Sequence, residues 1–194
     1  MEALFQDQND PTIMSIIIDG MDQSKVTCPN CGTQDQFDKP LKQYIVGVKE
    51  HGQKVTIFAT NGTVSKGADL TIYCILSKIE EWKHRNSGRY PEKIYIQLDG
   101  GAENANQYLL GMLELLVTKK VAREIVYTRL PTGHTHEDID ACFGVIRKHL
   151  FDNEYETLSM FKKLIEGAFI SEKLNAEVLF INVIPDYKKF LAGC

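Results

Sequence analysis

Positive charge is not in excess in this sequence: 22 Lys and Arg stand against 26 Asp and Glu, a formal net charge of −4. Phosphate affinity comes largely from Lys and Arg, so the chain alone is not built as a nucleic-acid binder. A catalytic core whose acids are neutralised by metal is still allowed. No apolar run is long enough to span a bilayer, and the first residues do not read as a secretory leader. No phosphate-cradling loop of the Gly-x-x-x-x-Gly-Lys-Ser/Thr type is present, which argues against an ATP-using protein. No repeat, low-complexity stretch or linker divides the chain, so a single domain over residues 1–194 is expected. Five cysteines, an odd number without a secretory leader, point to reduced thiols inside a cell.

Residues 93–107 carry the most information in the chain. Ile94, Tyr95, Ile96 and Leu98 form an apolar run of strand length that ends in Asp99-Gly100-Gly101, ahead of an apolar segment from Tyr108 to Val117. A strand that delivers a carboxylate at its C-terminal end, before a glycine turn and a helix, puts it where α/β sheets build sites. The same residues also suit an ordinary tight turn.

A second acid-tipped strand comes earlier. Met14 to Ile18 is nearly unbroken in its apolarity, as expected of a central strand, and it ends in Asp19-Gly20, with Asp22 just beyond. Tyr44 to Val48 and Val55 to Ala59 form a hairpin around a polar, glycine-containing turn. A helix is expected from about Ser65 to Arg85, with Ile72, Ile75, Ile79 and Trp82 facing a core. Asn104 and Asn106 suit the cap of the helix that follows Asp99. After a short strand at Ile125–Tyr127, the run Gly133-His134-Thr135-His136-Glu137-Asp138-Ile139-Asp140 leads into a helix through Leu150, whose buried stripe is Ile139, Phe143, Ile146 and Leu150. A helix over residues 153–169 and a strand over 177–184, stopped by Pro185, complete the chain.

Three antiparallel strands followed by alternating helix and strand is the order of the ribonuclease H-like fold. The expectation is a mixed α/β sheet with helices on both faces, a core over about 13–151 and a helix-strand extension over 152–194. In that arrangement the first and fourth strands are neighbours, which brings Asp19 and Asp99 together. Converging carboxylates repel one another, and divalent cations relieve the repulsion. Two ions held in this way suit phosphodiester chemistry, activating a water or hydroxyl and stabilising the leaving oxygen.

The third acid comes from Glu137, Asp138 or Asp140. Asp138 already fits a capping box with Thr135. Asp140 flanks the buried stripe, with open space expected at Gly144 one turn later, so it ranks first and Glu137 second. His134 and His136 would contact phosphate or move protons, or would be hydrogen-bonded loop residues. Asp22 is either an exposed loop acid or an alternative ligand to Asp19. Cys28-Pro29-Asn30-Cys31 is half of a zinc knuckle without a second CxxC, so Zn²⁺ at Cys28 and Cys31 stands against a tight loop with two free thiols.

Asp19-Gly20, the block Asp99 to Asn104 and the block Gly133 to Asp140 resemble the catalytic core of DDE/D transposases and retroviral-type integrases. IIIDGMDQSK together with GHTHEDID is similar, more narrowly, to an uncharacterised transposase-like domain of eukaryotic mobile-element proteins. The resemblance implies a ribonuclease H-like fold, Mg²⁺ or Mn²⁺ as cofactor, and DNA cleavage or strand transfer. Asp19, Asp99 and an acid of the 137–140 cluster would then form the triad. It also implies a nuclear or otherwise intracellular protein that works as a homo-oligomer or beside a DNA-binding domain of a longer chain. The alternative is an inactive, domesticated scaffold of the same fold that binds nucleic acid or protein.

Overall fold

The computed structural model describes residues 10–22, 26–30, 41–60, 62, 64–98, 106–129, 137–171 and 176–193, with only the backbone of Glu137, Asp138 and Ser171. The strands are β1 (Ile13–Gly20), β2 (Thr27–Cys28), β3 (Leu41–Lys42), β4 (Ile45–Glu50), β5 (Val55–Thr60), β6 (Lys93–Leu98), β7 (Glu124–Arg129) and β8 (Ala176–Ile181). The helices are α1 (Ala68–Arg85), α2 (Gln107–Thr118), α3 (Glu137–Asp152), α4 (Leu158–Ser171) and α5 (Tyr187–Ala192).

Six strands form one mixed sheet in the order β7-β6-β1-β4-β5-β8, and β2 and β3 make a small separate ladder. β1 pairs antiparallel with β4 and parallel with β6, as expected of adjacent first and fourth strands. β4 pairs antiparallel with β5, which pairs in parallel with β8, and β7 is parallel to β6. Strands β1, β5, β6, β7 and β8 therefore share a direction, and their C-terminal ends share one edge. This strand order is ribonuclease H-like, with β8 added beyond β5.

Side chains alternate across the sheet because the strand period is two. Met14, Ile16 and Ile18 of β1 face one core with Ile94, Ile96 and Leu98, covered by α1 and α2. On the other face, Ile45 and Ile57 pack with Ile139, Phe143 and Ile146 of α3 and Phe161 and Ile165 of α4. Ile17 packs against that second core from β1. Helices thus cover both faces, as the sequence led one to expect.

Three boundaries differ from the expectation by three residues or more, each for a local reason. Helix α1 starts at Ala68, since Gly67 sits at φ 148°, outside any helical conformation. Helix α4 starts at Leu158 because Tyr155 is taken up elsewhere: its backbone bridges Asn30, and its buried hydroxyl donates to the Thr27 carbonyl at 2.7 Å. Thr157 then caps the helix, its hydroxyl accepting from Met160 N–H at 3.2 Å. Strand β8 stops at Ile181, and α5 follows, capped by the Asp186 carboxylate, which accepts from Lys189 N–H at 2.8 Å.

Candidate active site at the carboxyl edge of the sheet

The last residue of β1 to carry a side chain is Asp19, and its cross-strand partner on β4 is Gly47. A Cβ on Gly47 would stand 2.8 Å from Ile139 Cγ2 and 3.2 Å from the Phe143 ring. A glycine there lets the first turns of α3 settle directly on the sheet. Asp140 follows Ile139, so this close packing carries its carboxylate to the end of β1.

The two elements enclose a cavity of about 300 Å³, lined by Asp19, Gly20, Met21 and Asp22 on one side and Asp140, Phe143, Gly144 and Arg147 on the other. Met21 and Phe143 are buried and give it apolar walls. A Cβ added at Gly144 would meet nothing within 4 Å among the described residues, so the space beside Asp140 is open, as expected. Arg147 lies two turns beyond Asp140 on the same helix face.

The two carboxylates are held differently. Asp19 Oδ1 accepts the Gly20 N–H at 2.7 Å, which fixes its orientation at the strand end. Asp140 Oδ2 is buried and has no hydrogen-bond partner among the described residues. An acceptor shut off from water without a partner costs free energy, and more when it is charged. Asp22 is exposed on the rim of the same cavity.

Other expected site residues fall differently. Strand β6 is described as far as Leu98, the register partner of Ile18, one residue short of Asp99. Asp99, His134 and His136 lie outside the described residues, as do the side chains of Glu137 and Asp138 and the cap proposed at Thr135. Cys28 is buried in the second core, with its Sγ 4.0 Å from the Glu156 carbonyl oxygen; Cys31 lies outside the described residues. Among the described residues, no group of three His, Cys, Asp or Glu stands ready to hold a metal ion. Asn106 caps α2 as expected, accepting from Leu109 N–H at 2.9 Å.

Sequence reasoning missed Gly47 and Arg147. Arg147 was open to discovery, being seven residues after Asp140 and so on its face. Gly47 carried only a general signal, since a glycine inside a strand pattern announces that something comes close but not what.

A family model described as "Domain of unknown function (DUF7869)" matches residues 33–194. The chain belongs to that family. The matched span of this DUF7869 domain takes in α3 and Asp140 and begins after β1 and Asp19. No curated protein matches it. Among solved structures, it is similar to a chain of "Mos1 transposase paired-end complex with left transposon end", at 11% identity and a TM-score of 0.41, over 88% of this chain and 52% of that one. It is also similar to "Human cytomegalovirus terminase nuclease domain", at 8% identity and a TM-score of 0.30, over 93% of this chain and 72% of that one. The DUF7869 chain thus spans about half the length of the Mos1 transposase chain. At these scores the likeness transfers no residue role, and the ribonuclease H-like description rests on the strand order itself. Among the described residues, no helix is long and apolar enough to cross a membrane.

Proposed function

We infer that this DUF7869 domain is a metal-dependent DNA nuclease or strand transferase core of the DDE/D type. One observation carries the reading: Asp19 and Asp140, distant in sequence, line one cavity in which Asp140 Oδ2 is buried without a partner. An unpartnered anionic oxygen beside a second carboxylate is a donor set that fits a hard divalent cation. Asp19, Asp140 and Asp99 would hold Mg²⁺ or Mn²⁺, with Asp22 and Glu137 as the alternative donors. The chemistry two such ions supply when bound is activation of the attacking water or hydroxyl and stabilisation of the leaving oxygen.

The chain's own residues do the rest. The Gly20 N–H holds the Asp19 carboxylate in one orientation. Met21 and Phe143 give the cavity a buried apolar wall beside the two acids. Arg147, on the cavity wall, would contact phosphate oxygens of the strand. His134 and His136 are proposed to hold a proton at the leaving oxygen or to contact phosphate. The domain would work as a homo-oligomer or beside a DNA-binding domain elsewhere in a longer protein, and with a net charge of −4 it is the latter that would supply duplex affinity. A nuclear site of action goes with that reading.

A second reading, an inactive scaffold of the same fold, is favoured by one fact: the family match begins after Asp19. The two are separated by incubating wild type, Asp19→Asn and Asp140→Asn with Mn²⁺ and supercoiled DNA. Nicking or joining by wild type, lost in both variants, supports the enzyme. No reaction and no Mn²⁺ uptake by a folded wild type would leave the scaffold.

A further inference from the structure

Helix α3 has an outer face that takes no part in the core. Its buried stripe, Ile139, Phe143, Ile146 and Leu150, packs toward the sheet. Asp140, Gly144, Arg147 and Phe151 recur at four, three and four residues, so they form one line on a neighbouring face of the same helix. The first three line the acid cavity. Phe151 ends the line and is 87% exposed, the most exposed of the large apolar side chains described. A lone exposed apolar residue is ordinary on a protein surface. This one stands on the line that starts at a candidate metal ligand, about 6 Å along the axis beyond Arg147 and about 17 Å beyond Asp140.

The line has the shape and charge to seat a polynucleotide. Gly144 is exposed, and a Cβ there would meet nothing within 4 Å among the described residues, so the helix surface is low between Asp140 and Arg147. Arg147 is exposed and makes no ion pair among the described residues. Lys148 and Asp152, four residues apart on the adjoining stripe, offset each other in charge, which leaves the Arg147 guanidinium as the cation of the line. An exposed aromatic ring is a surface on which an unpaired base stacks whatever its identity. A duplex keeps its bases stacked on one another and offers none to the ring.

We propose that Phe151 is a stacking platform for an unpaired base of the DNA strand whose phosphate contacts Arg147, so that the strand reaching the acid cavity is single-stranded where it crosses α3. This rests on the reading of the acid cavity as a nuclease site. Asp19, Asp22 and Asp140 outnumber Arg147 in that cavity, so the strand enters once a divalent cation has offset them.

The experiment titrates three fluorescein-labelled probes, in Ca²⁺ and over a range of salt, against wild type, F151A, F151W and R147Q. The probes are a single-stranded oligodeoxynucleotide, a strand of equal length with abasic sites throughout, and a blunt duplex. Mn²⁺ uptake by the same proteins is counted by electron paramagnetic resonance. F151A should weaken binding of the intact single strand by about fivefold or more, the loss expected for one stacked base. It should bind the abasic strand and the duplex as wild type does, with an unchanged salt slope. F151W should hold the intact strand at least as tightly as wild type. R147Q should lower the log–log salt slope by about 0.7 on both single strands, one phosphate contact. F151A that binds the intact strand as wild type does, or that weakens all three probes alike, overturns the platform and leaves the acid site standing. Wild type that takes up no Mn²⁺ while F151A weakens the intact strand alone overturns the acid site and leaves the platform. Wild type that binds no probe overturns the platform, and so does an F151A protein that loses self-association in sedimentation while keeping its strand affinity, which assigns the ring to a contact between copies.

Discussion

Asp140 Oδ2 has lost its water and, among the described residues, gained no partner in exchange. Without a cation that is a destabilising arrangement, and the sign of a mutation follows from it. Asp140→Asn should raise the unfolding free energy in EDTA by about 1 kcal/mol, measured by urea titration. A lower value would show that the carboxylate is already satisfied. Glu50, an acid buried as a whole residue, makes a test of pH. Burial pushes its carboxyl above the ordinary range, although Arg85 and Lys78 beside it pull the other way. Its Oε2 is 3.5 Å from Lys78 Nζ, near enough for an ion pair, yet without a hydrogen bond among the described residues. A carboxyl raised in the folded state binds protons that the unfolded chain has already released. Its contribution is therefore full at low pH and is lost as pH climbs past the normal glutamate range. Urea titrations at several pH values should show wild type losing stability relative to Glu50→Gln across that window. Parallel curves would contradict it.

At the scale of elements, α3 is where the site is decided, because it must lie close to β4 for Asp140 to reach Asp19. Gly47→Ala should cost about 1–3 kcal/mol through overpacking against Ile139 and Phe143, and should weaken Mn²⁺ affinity in protein that still folds. Unchanged metal affinity would mean that helix position does not set the site. The buried stripe of α3 was legible from its 3.6-residue period, since Ile139, Phe143, Ile146 and Leu150 are all buried. The start of α4 was not, because Tyr155 is claimed by partners far away in sequence, Asn30 and Thr27, and no local pattern shows that. Helix α5 did carry a signal, an Asp just ahead of Tyr-Lys-Lys-Phe-Leu, but Pro185 read more strongly as the stop of a strand.

For the whole molecule, strand order was the legible part. Apolar runs of strand length, separated by a hairpin turn and by helix-length segments, constrain the topology to few choices, and adjacency of β1 and β6 followed from it. The edge position of β8 was not legible, because pairing with β5 depends on which edge is open and not on β8 itself. The site was half legible. Acids at strand tips and helix starts can be picked out by type and place, as Asp19 and Asp140 were. The glycine that seats the helix depends on side chains meeting across the fold, which no spacing along the chain reveals, whereas Arg147 was within reach of helix spacing. On the reading proposed above, these acids share a cation. The most direct measurement of this is a crystal structure of wild-type protein soaked in Mn²⁺, with anomalous scattering locating the ion. A shared cation would give a peak bound by carboxylate oxygens of both Asp19 and Asp140. A cavity without a peak at saturating Mn²⁺, or a peak elsewhere, would contradict it.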